Sequence, residues 1–279
     1  MLCFASMDAA TKLITLHYGV AQILLVRYVV FLVFAMALAR RSRTGLARSW
    51  KSRRPWLQGA RAVLAVAENG TFVIAFRYLP LADTHAVAAS SPLIVVALSA
   101  PLLGERVGLD RWAAVVAGFL GVLVILRPGF GAMDPWLLLP LAGAAQWGLY
   151  QIFLRLCSRS DSNETTLLWS AGVGVVLAAV FGVPQWIPPD ASAWALLLLI
   201  ALLGTLGHVA LTVALAVAEA AAIQPYSYTL LLWVSTLGVL LFGAVPDLWT
   251  IVGGAVVVAS GLFAWWRERL ATRRIGTLP

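Results

Sequence analysis

Apolar residues fall into ten long runs that are separated by short clusters of charged and turn-forming residues. The runs span residues 1–16, 18–39, 56–77, 81–103, 108–127, 134–156, 163–183, 191–214, 219–243 and 247–266. One helical crossing of a bilayer core about 30 Å thick needs roughly 20 apolar residues. The pattern therefore predicts an all-α, polytopic membrane protein with ten transmembrane helices.

Composition supports a membrane protein and excludes several other classes. The chain is 61% hydrophobic and 11% charged, whereas soluble domains are about 45–50% apolar and about 25% charged. A soluble enzyme, a disordered chain and a disulfide scaffold are thereby excluded. Cys3 and Cys157 lack any metal-ligand spacing, so we expect no metal and no cofactor. The first run has no basic leader segment, which favours a retained helix over a signal peptide.

The basic residues predict the orientation of the chain. If the amino terminus is inside, 15 of the 20 Lys and Arg residues lie on the cytoplasmic side. Only Arg77 and Arg127 then lie outside. Positive charge accumulates in cytoplasmic loops, so we expect a multi-pass protein of the cytoplasmic (inner) membrane with both termini in the cytoplasm. The net charge of +8 is a topology signal, and no nucleic-acid partner is expected.

The chain also contains an approximate internal duplication. The segment that begins at Leu102 aligns with the one that begins at Leu241, and an upstream pair begins at Leu79 and Leu215. The strongest matches are Gly104 with Gly243, Asp110 with Asp247, Trp112 with Trp249 and Gly121 with Gly261. We divide the chain into repeats 1–130 and 131–279, each with five helices. Because five is odd, the repeats are inverted, and inverted repeats place a substrate site near mid-membrane.

These motifs resemble those of EamA-type transporters in the drug/metabolite transporter superfamily. The first half carries FRYLPLAD, LLGERVGLDRW and a glycine-rich helix that ends in LRPG; the second carries AAAIQPYSYTLLLW, LLFGAVPDLW and GGAVVVASGL. The resemblance covers essentially the whole chain. It implies ten helices, two inverted repeats, a central cavity and the movement of small organic metabolites, without indicating which metabolite.

Charged residues within the runs are candidates for the transport site, because each costs about 2.5 kcal/mol or more at the bilayer centre. Asp8 and Lys12 share one helix face, either as a structural ion pair or as ligands for a zwitterionic substrate. Arg61 and Glu68 lie two turns apart, with Asn69 beside the acid. We expect cross-helix pairs of Asp8 with Arg61 and of Lys12 with Glu68. An unpaired Glu68 or Asp8 would carry a coupling proton.

The sixth run contributes a patch of aromatic and amide side chains. Gln146, Trp147, Tyr150 and Gln151 lie within little more than one helical turn. Such a patch can stack on a planar ligand and form hydrogen bonds with it. Aromatic residues also serve in ordinary packing, so both interpretations are open.

Two runs contain proline beside polar residues. In the fourth run, Ser91 precedes a proline that frees a backbone carbonyl, and His85 is expected to form a helix-end hydrogen bond rather than relay protons. The ninth run begins with Gln224, Tyr226 and Tyr228 around a proline. We expect this opened segment to line the site.

Together these features predict a secondary transporter that works by alternating access. No GxxxxGK loop for a nucleotide is present in the sequence, which favours an ion gradient, most simply of protons, as the driving force. The substrate is expected to be amino acid-like or vitamin-like, with a planar part. The alternatives are a non-transporting receptor or scaffold and an intramembrane enzyme. Glycines in the fifth and tenth helices predict a close contact on the symmetry axis, within one chain or between the protomers of a homodimer.

Overall fold

The computed structural model describes residues 1–42, 45–104, 107–127, 134–217 and 226–275. Within these ranges the chain is helical, without a strand, apart from loops and a 3₁₀ turn at Pro135–Leu137. The helices are α1 (Leu2–Ile14), α2 (Val20–Arg41), α3 (Leu46–Ser49), α4 (Pro55–Tyr78), α5 (Leu81–Ala88), α6 (Ser91–Leu103), α7 (Leu109–Leu126), α8 (Leu138–Ser158), α9 (Asn163–Gly182), α10 (Ala191–Val217), α11 (Thr229–Phe242) and α12 (Leu248–Ile275).

Most of these helices are built to cross a membrane. In the described part of the chain, eight helical segments are long and apolar enough for a crossing, counting α5 and α6 as one. With 13 and 14 residues, α1 and α11 are shorter. Large apolar side chains face outward, and Leu120, Val180 and Leu240 are 56%, 60% and 73% exposed. An outer surface of this kind suits lipid rather than water, so the prediction of an all-α membrane protein is confirmed.

The predicted fourth run, 81–103, is broken into two helices at Ala89–Ser90. Pro92 has no backbone N–H and cannot join a continuous ladder of hydrogen bonds. Ser90 Oγ donates to the carbonyl of Val87 at 2.7 Å, and Ser91 Oγ donates to the carbonyl of Ala88. The Ser91 hydroxyl satisfies the Ala88 carbonyl, which Pro92 leaves without a donor, and the Ser90 hydroxyl binds the Val87 carbonyl. The helix is therefore interrupted, and α5 and α6 are separate elements.

Helix ends have local causes in the sequence. Gly104 and Gly243 end α6 and α11 in the left-handed conformation, with φ of +69° and +63°. Glycine adopts this conformation without steric cost. At the start of α12, Asp247 Oδ1 accepts a hydrogen bond from the Thr250 N–H at 2.8 Å, which satisfies a free donor of the first turn.

The most extensive helix contacts are those of α7 with α12 and of α2 with α9, followed by α4 with α8 and α1 with α10. Two charge pairs join α7 and α12 at opposite ends. Arg127, after the end of α7, pairs with Asp247 before α12, and Arg267, late in α12, pairs with Asp110 at the start of α7. The two helices are therefore antiparallel.

Glycines permit the close approach of α7 and α12. A Cβ added to Gly121 would lie 2.9 Å from the carbonyl oxygen of Gly253, and one added to Gly253 would lie 2.6 Å from the carbonyl oxygen of Gly121. Only glycine fits where two backbones meet in this way. The predicted contact between the fifth and tenth runs is thus formed within the chain.

Candidate functional site

Arg61 is the centre of a polar network at the amino-terminal half of α4. Its side chain is fully buried. The guanidinium donates from Nε to Gln58 Oε1 at 3.0 Å, from Nη1 to the Tyr150 hydroxyl at 3.3 Å and from Nη2 to the Thr166 carbonyl at 2.9 Å. Arg61 therefore ties α4 to both α8 and α9, and its charge is dispersed over several acceptors.

The network continues to the loop between α8 and α9. Asp161 accepts hydrogen bonds from Gln58 Nε2 at 3.0 Å, from the backbone N–H of Arg53 at 2.9 Å and from the Ser52 hydroxyl. Burial raises the pKa of Asp161, but these hydrogen bonds outweigh burial and hold its pKa below the ordinary value of 3.8. The carboxylate thus fastens the loop before α4 to the loop before α9.

Tyr150 and Trp147 form a stacked aromatic pair on α8. Their ring centroids are 5.0 Å apart with an interplanar angle of 18°, and the Arg61 guanidinium lies 5.5 Å from the Tyr150 centroid. Beside them, Gln146 Oε1 is buried without a hydrogen-bond partner among the described residues, and Gln151 is half-buried. A flat ring system with hydrogen-bonding edges matches such a surface.

Glu68 and Asn69 lie about two turns further along α4 than Arg61. Asn69 Nδ2 is 3.5 Å from the hydroxyl of Tyr28, which is buried on α2. The charged groups with the strongest electrostatic interactions with Glu68 are Arg27, which attracts it, and Asp8, which repels it. Glu68 is therefore close to both α1 and α2, and the acidic part of the site draws on three helices.

Asp8 pairs with a histidine. Its Oδ2 lies 3.1 Å from Nε2 of His85, in α5. The imidazole stacks on Phe72 and Phe76 of α4, with centroids 6.1 and 5.7 Å away. His85 was expected to form a helix-end hydrogen bond; it instead joins α5 to α1.

Lys12 binds backbone carbonyls. Its Nζ donates to the carbonyls of Phe76 and Leu79, each at 2.6 Å, and lies 5.7 Å from the ring of Phe242. The carbonyls at the end of α4 have no partners within that helix and carry partial negative charge. Lys12 therefore stabilises the carboxyl-terminal end of α4.

Three predicted ion pairs are wrong. Asp8 and Lys12 do not pair along α1, Asp8 does not pair with Arg61, and Lys12 does not pair with Glu68; the structure gives Asp8, Lys12 and Arg61 the partners described above. The spacing along each helix was compatible with these pairs. Asp8 and Arg61 do not meet because α1 passes the carboxyl-terminal part of α4, while Arg61 lies near its beginning. The other two pairs fail because Lys12 binds the carbonyls at the end of α4.

The remaining predicted residues lie elsewhere. Ser91 is used at the break between α5 and α6, and Tyr226 is 67% exposed. Tyr228 lies against Gly261 of α12 and lines a cleft of about 300 Å³ between α5, α11 and α12. Gln224 is outside the described residues.

Several residues of the network were missed by sequence reasoning. Gln58 and Thr166 hold Arg61, and Tyr28 contacts Asn69. One signal was available: Gln58 lies one helical turn before Arg61, which is the spacing of a side-chain pair on a helix. Thr166 acts through its carbonyl, which no residue-type pattern reveals.

Membrane-length helices around buried polar side chains define a polytopic integral membrane protein. Residues 1–127 and again residues 134–266 match the model of the EamA-like transporter family. The chain belongs to this family. Because the family and the relatives below are transporters, the protein is a transporter of small metabolites and not an enzyme.

Characterised relatives are similar along most of the chain. A riboflavin transporter of Rhizobium johnstonii is 29% identical, covering 98% of this chain and 90% of the relative. A riboflavin transporter of Vibrio cholerae is 28% identical, covering 98% and 92%. An S-adenosylmethionine uptake transporter of Rickettsia prowazekii is 24% identical, covering 78% and 74%.

A solved crystal structure has the same fold. It superposes with a TM-score of 0.60 at 20% identity, covering 98% of this chain and 97% of the other. At this identity the similarity concerns the fold alone.

Proposed function

We propose that the chain crosses the membrane ten times as two inverted five-helix repeats, 1–130 and 131–279. The crossings of the first repeat are α1, α2, α4, α5 with α6, and α7; those of the second are α8 to α12. In this arrangement α1 is equivalent to α8, α2 to α9, α4 to α10, α6 to α11, and α7 to α12. The α1–α10 contact is then equivalent to the α8–α4 contact, and the α1–α11 contact to the α8–α6 contact; all four occur. The α2–α9 and α7–α12 contacts each join two equivalent helices.

Further support for the repeats comes from equivalent residues. Gly104 and Gly243 end α6 and α11 in the same left-handed conformation. Asp110 in the first turn of α7 and Asp247 just before α12 occupy similar positions, and each pairs with an arginine at the far end of the other repeat's helix. The family model also matches the chain twice.

The charge distribution supports placement in the cytoplasmic membrane with both termini inside. Fifteen basic residues then lie on the cytoplasmic side and two outside. The network of Arg61, Gln58 and Asp161 lies toward the cytoplasmic ends of α4, α8 and α9 in this orientation. A homodimer stays a prediction.

The substrate we propose is riboflavin or a metabolite with a similar planar ring system, moved by alternating access. The observation that carries this proposal is the stacked pair of Trp147 and Tyr150 beside the unpartnered Gln146 oxygen. A flavin ring is flat and bears an N–H between two carbonyls, so it can stack on the aromatic pair and donate to the amide. The riboflavin transporters among the relatives support the same substrate.

We further propose that a proton gradient drives transport. A polar centre that contains Asp8, Glu68 and His85 offers groups that bind protons within the membrane. No cluster of three or more His, Cys, Asp or Glu suited to a metal ion is found in the described ranges.

Flux measurements on the purified protein test the proposed function. Proteoliposomes loaded with unlabelled riboflavin should take up labelled riboflavin by counterflow, and an inward proton gradient should raise its accumulation above the external concentration. Ribitol, which lacks the ring, should not compete. Binding of riboflavin without flux would instead support a receptor.

S-adenosylmethionine is the second candidate. It carries a planar adenine and positive charge, and Asp8 with Glu68 gives the site two carboxylates close enough to repel each other. Relatives with this substrate align over 78–80% of the chain. Competition against labelled riboflavin separates the candidates, because the true substrate should inhibit at the lower concentration.

A further inference from the structure

A buried acid and a buried histidine meet where α1 passes α5. Asp8 is 8% exposed and His85 is 9% exposed. Asp8 Oδ2 and His85 Nε2 are 3.1 Å apart. Yet Nε2 forms no hydrogen bond of suitable geometry among the described residues. The attraction therefore depends mainly on charge, and it is strong only when the imidazole carries a proton.

The surroundings of this pair are apolar. Phe72 and Phe76 stack on the imidazole, and the helices that meet here share a core cluster that contains Ala5, Ala9, Phe76, Leu81 and Val234. Charges interact more strongly where water is excluded. Gain or loss of one proton therefore changes the attachment of α5 to α1 more than it would on a wet surface.

The other charged groups leave the acid in need of a positive partner. Lys12 is occupied by the two carbonyls at the end of α4, and the guanidinium of Arg61 by Gln58, Tyr150 and Thr166. Glu68 repels Asp8, and Arg27 lies close to Glu68. A proton on His85 supplies Asp8 with a positive partner 3.1 Å away.

The remaining titratable groups on the helices around the pair have other contacts. From α5, Asp83 accepts a hydrogen bond from Thr250 of α12. His208 of α10 stacks on Phe31, and Tyr228 of α11 packs on Gly261. The charged residues described for α7 and α12 lie at or near helix ends, as in the pairs Asp110–Arg267 and Arg127–Asp247.

We propose that Asp8 and His85 together form the binding site for the coupling proton. The proposal rests on the proposed function as a proton-driven carrier. With the proton bound, an imidazolium–carboxylate pair holds α5 against α1. Without it, a neutral imidazole leaves a buried carboxylate uncompensated, which favours separation of the two helices. The break at Ala89–Ser90 lets α5 move separately from α6, so protonation controls access to the polar centre.

His85→Gln separates coupling from transport. The amide keeps a polar side chain of similar size but binds no proton near neutral pH. We expect riboflavin counterflow within about twofold of wild type, because exchange needs no net proton movement. Accumulation driven by the proton gradient should fall at least about tenfold, and so should proton entry followed with a pH dye inside the vesicles. Undiminished gradient-driven accumulation by His85→Gln would overturn the proposal.

Matched variants exclude trivial explanations. His208→Gln changes a half-buried histidine of α10 and should retain gradient-driven accumulation. Asp8→Asn should reproduce the uncoupled behaviour of His85→Gln and serves in its place if that variant does not fold. If Glu68→Gln alone removes the response to the gradient, the proton binds at Glu68 and the proposal is wrong.

A direct measurement on the wild-type protein needs no variant at the site. In ¹⁵N-histidine-labelled protein, with signals assigned through His17→Gln and His208→Gln, the charge state of His85 should change on addition of riboflavin at constant pH between about 5 and 8, where histidine titrates. A His85 signal that is insensitive to both pH and riboflavin would overturn the proposal. Failure of the wild type to exchange riboflavin at all would instead refute the proposed substrate.

Discussion

At the scale of single residues, the polar side chains of the membrane region divide by what they bind. Lys12 and Arg61 are held by backbone and side-chain acceptors, so they stabilise helix contacts. Gln146 has a buried oxygen without a described partner, and Trp147 presents a ring in a stacked pair. Groups of the second kind have free capacity for a ligand, because burying an unpaired oxygen is otherwise unfavourable.

Trp147→Ala should weaken riboflavin binding between about twofold and tenfold, since an aromatic stacking contact contributes about 0.5–1.5 kcal/mol. Binding to purified protein, followed by quenching of flavin fluorescence, measures the effect. Trp136→Ala is the matched control, because Trp136 stacks on Tyr78 at an exposed position. Wild-type affinity in Trp147→Ala would show that Trp147 only packs against its neighbours and does not contact the ligand.

Asp161 should make the stability of the protein depend on pH in the acid range. Its pKa in the folded protein lies below the ordinary 3.8, so the carboxylate stabilises the fold at pH values above the ordinary pKa. That contribution is lost as the pH falls through the lower, folded-state pKa. Asp161→Asn should lower the melting temperature at pH 7 and reduce its decline toward pH 3 in detergent.

Glu164→Gln provides the comparison for Asp161→Asn, because it changes a carboxylate only three residues further along. It should leave the melting temperature at pH 7 close to that of wild type. Equal melting temperatures for Asp161→Asn and wild type at pH 7 would show that the loop contact contributes no measurable stability.

At the scale of helices, small residues decide which elements meet closely. Glycine lines the crossing of α7 and α12, and the charge pairs of Asp110 with Arg267 and of Arg127 with Asp247 hold the two ends. In a membrane, close packing replaces the hydrophobic effect as the force between helices. Larger residues at this crossing should therefore destabilise the protein, even though the residues involved are apolar.

Gly253→Ala should destabilise the protein by about 1–3 kcal/mol, because overpacking forces backbone shifts. The added Cβ would lie 2.5 Å from Ile125 Cγ1 and 2.6 Å from the carbonyl oxygen of Gly121. Gly254→Ala is an adjacent control, since its Cβ would meet Ala86 Cβ at an ordinary 3.6 Å. Equal melting temperatures for the two variants in detergent would contradict the close crossing.

At the scale of the whole molecule, both of the proposed repeats contribute side chains to the buried polar region. Asp8 and Arg61 belong to the first repeat, whereas Tyr150 and Thr166 belong to the second. Relative movement of the repeats must therefore alter the network around Arg61. This arrangement suits a carrier in which access alternates between the two sides.

The inverted topology predicts opposite accessibility for two loops of the second repeat. In a chain with Cys3 and Cys157 changed to serine, Gln185→Cys should react with a membrane-impermeant maleimide on intact cells. Ser158→Cys should react only after permeabilisation, because the proposed orientation places the loop between α8 and α9 in the cytoplasm. Reaction of both positions from the same side, or carboxyl and amino termini on opposite surfaces, would contradict the two inverted repeats.

The membrane class and the family follow from the sequence alone, and the positions of Asp8, Arg61 and Glu68 within apolar runs indicate polar groups inside the membrane. Hydrophobicity summed over a run of about 20 residues is a local property, so the long helices were predictable. Trp147 and Tyr150 were recognised for a similar reason, because they lie on one turn of one helix.

Which polar groups meet depends on how the helices pack in three dimensions. Whether Asp8 faces Arg61 or His85 depends on how far α1 has turned about its axis and at which level it passes α4 and α5. A shift of one turn exchanges partners, and nothing in the composition of either helix fixes that shift. The carbonyl acceptors of Lys12 and Arg61 follow from backbone geometry, which residue types do not reveal.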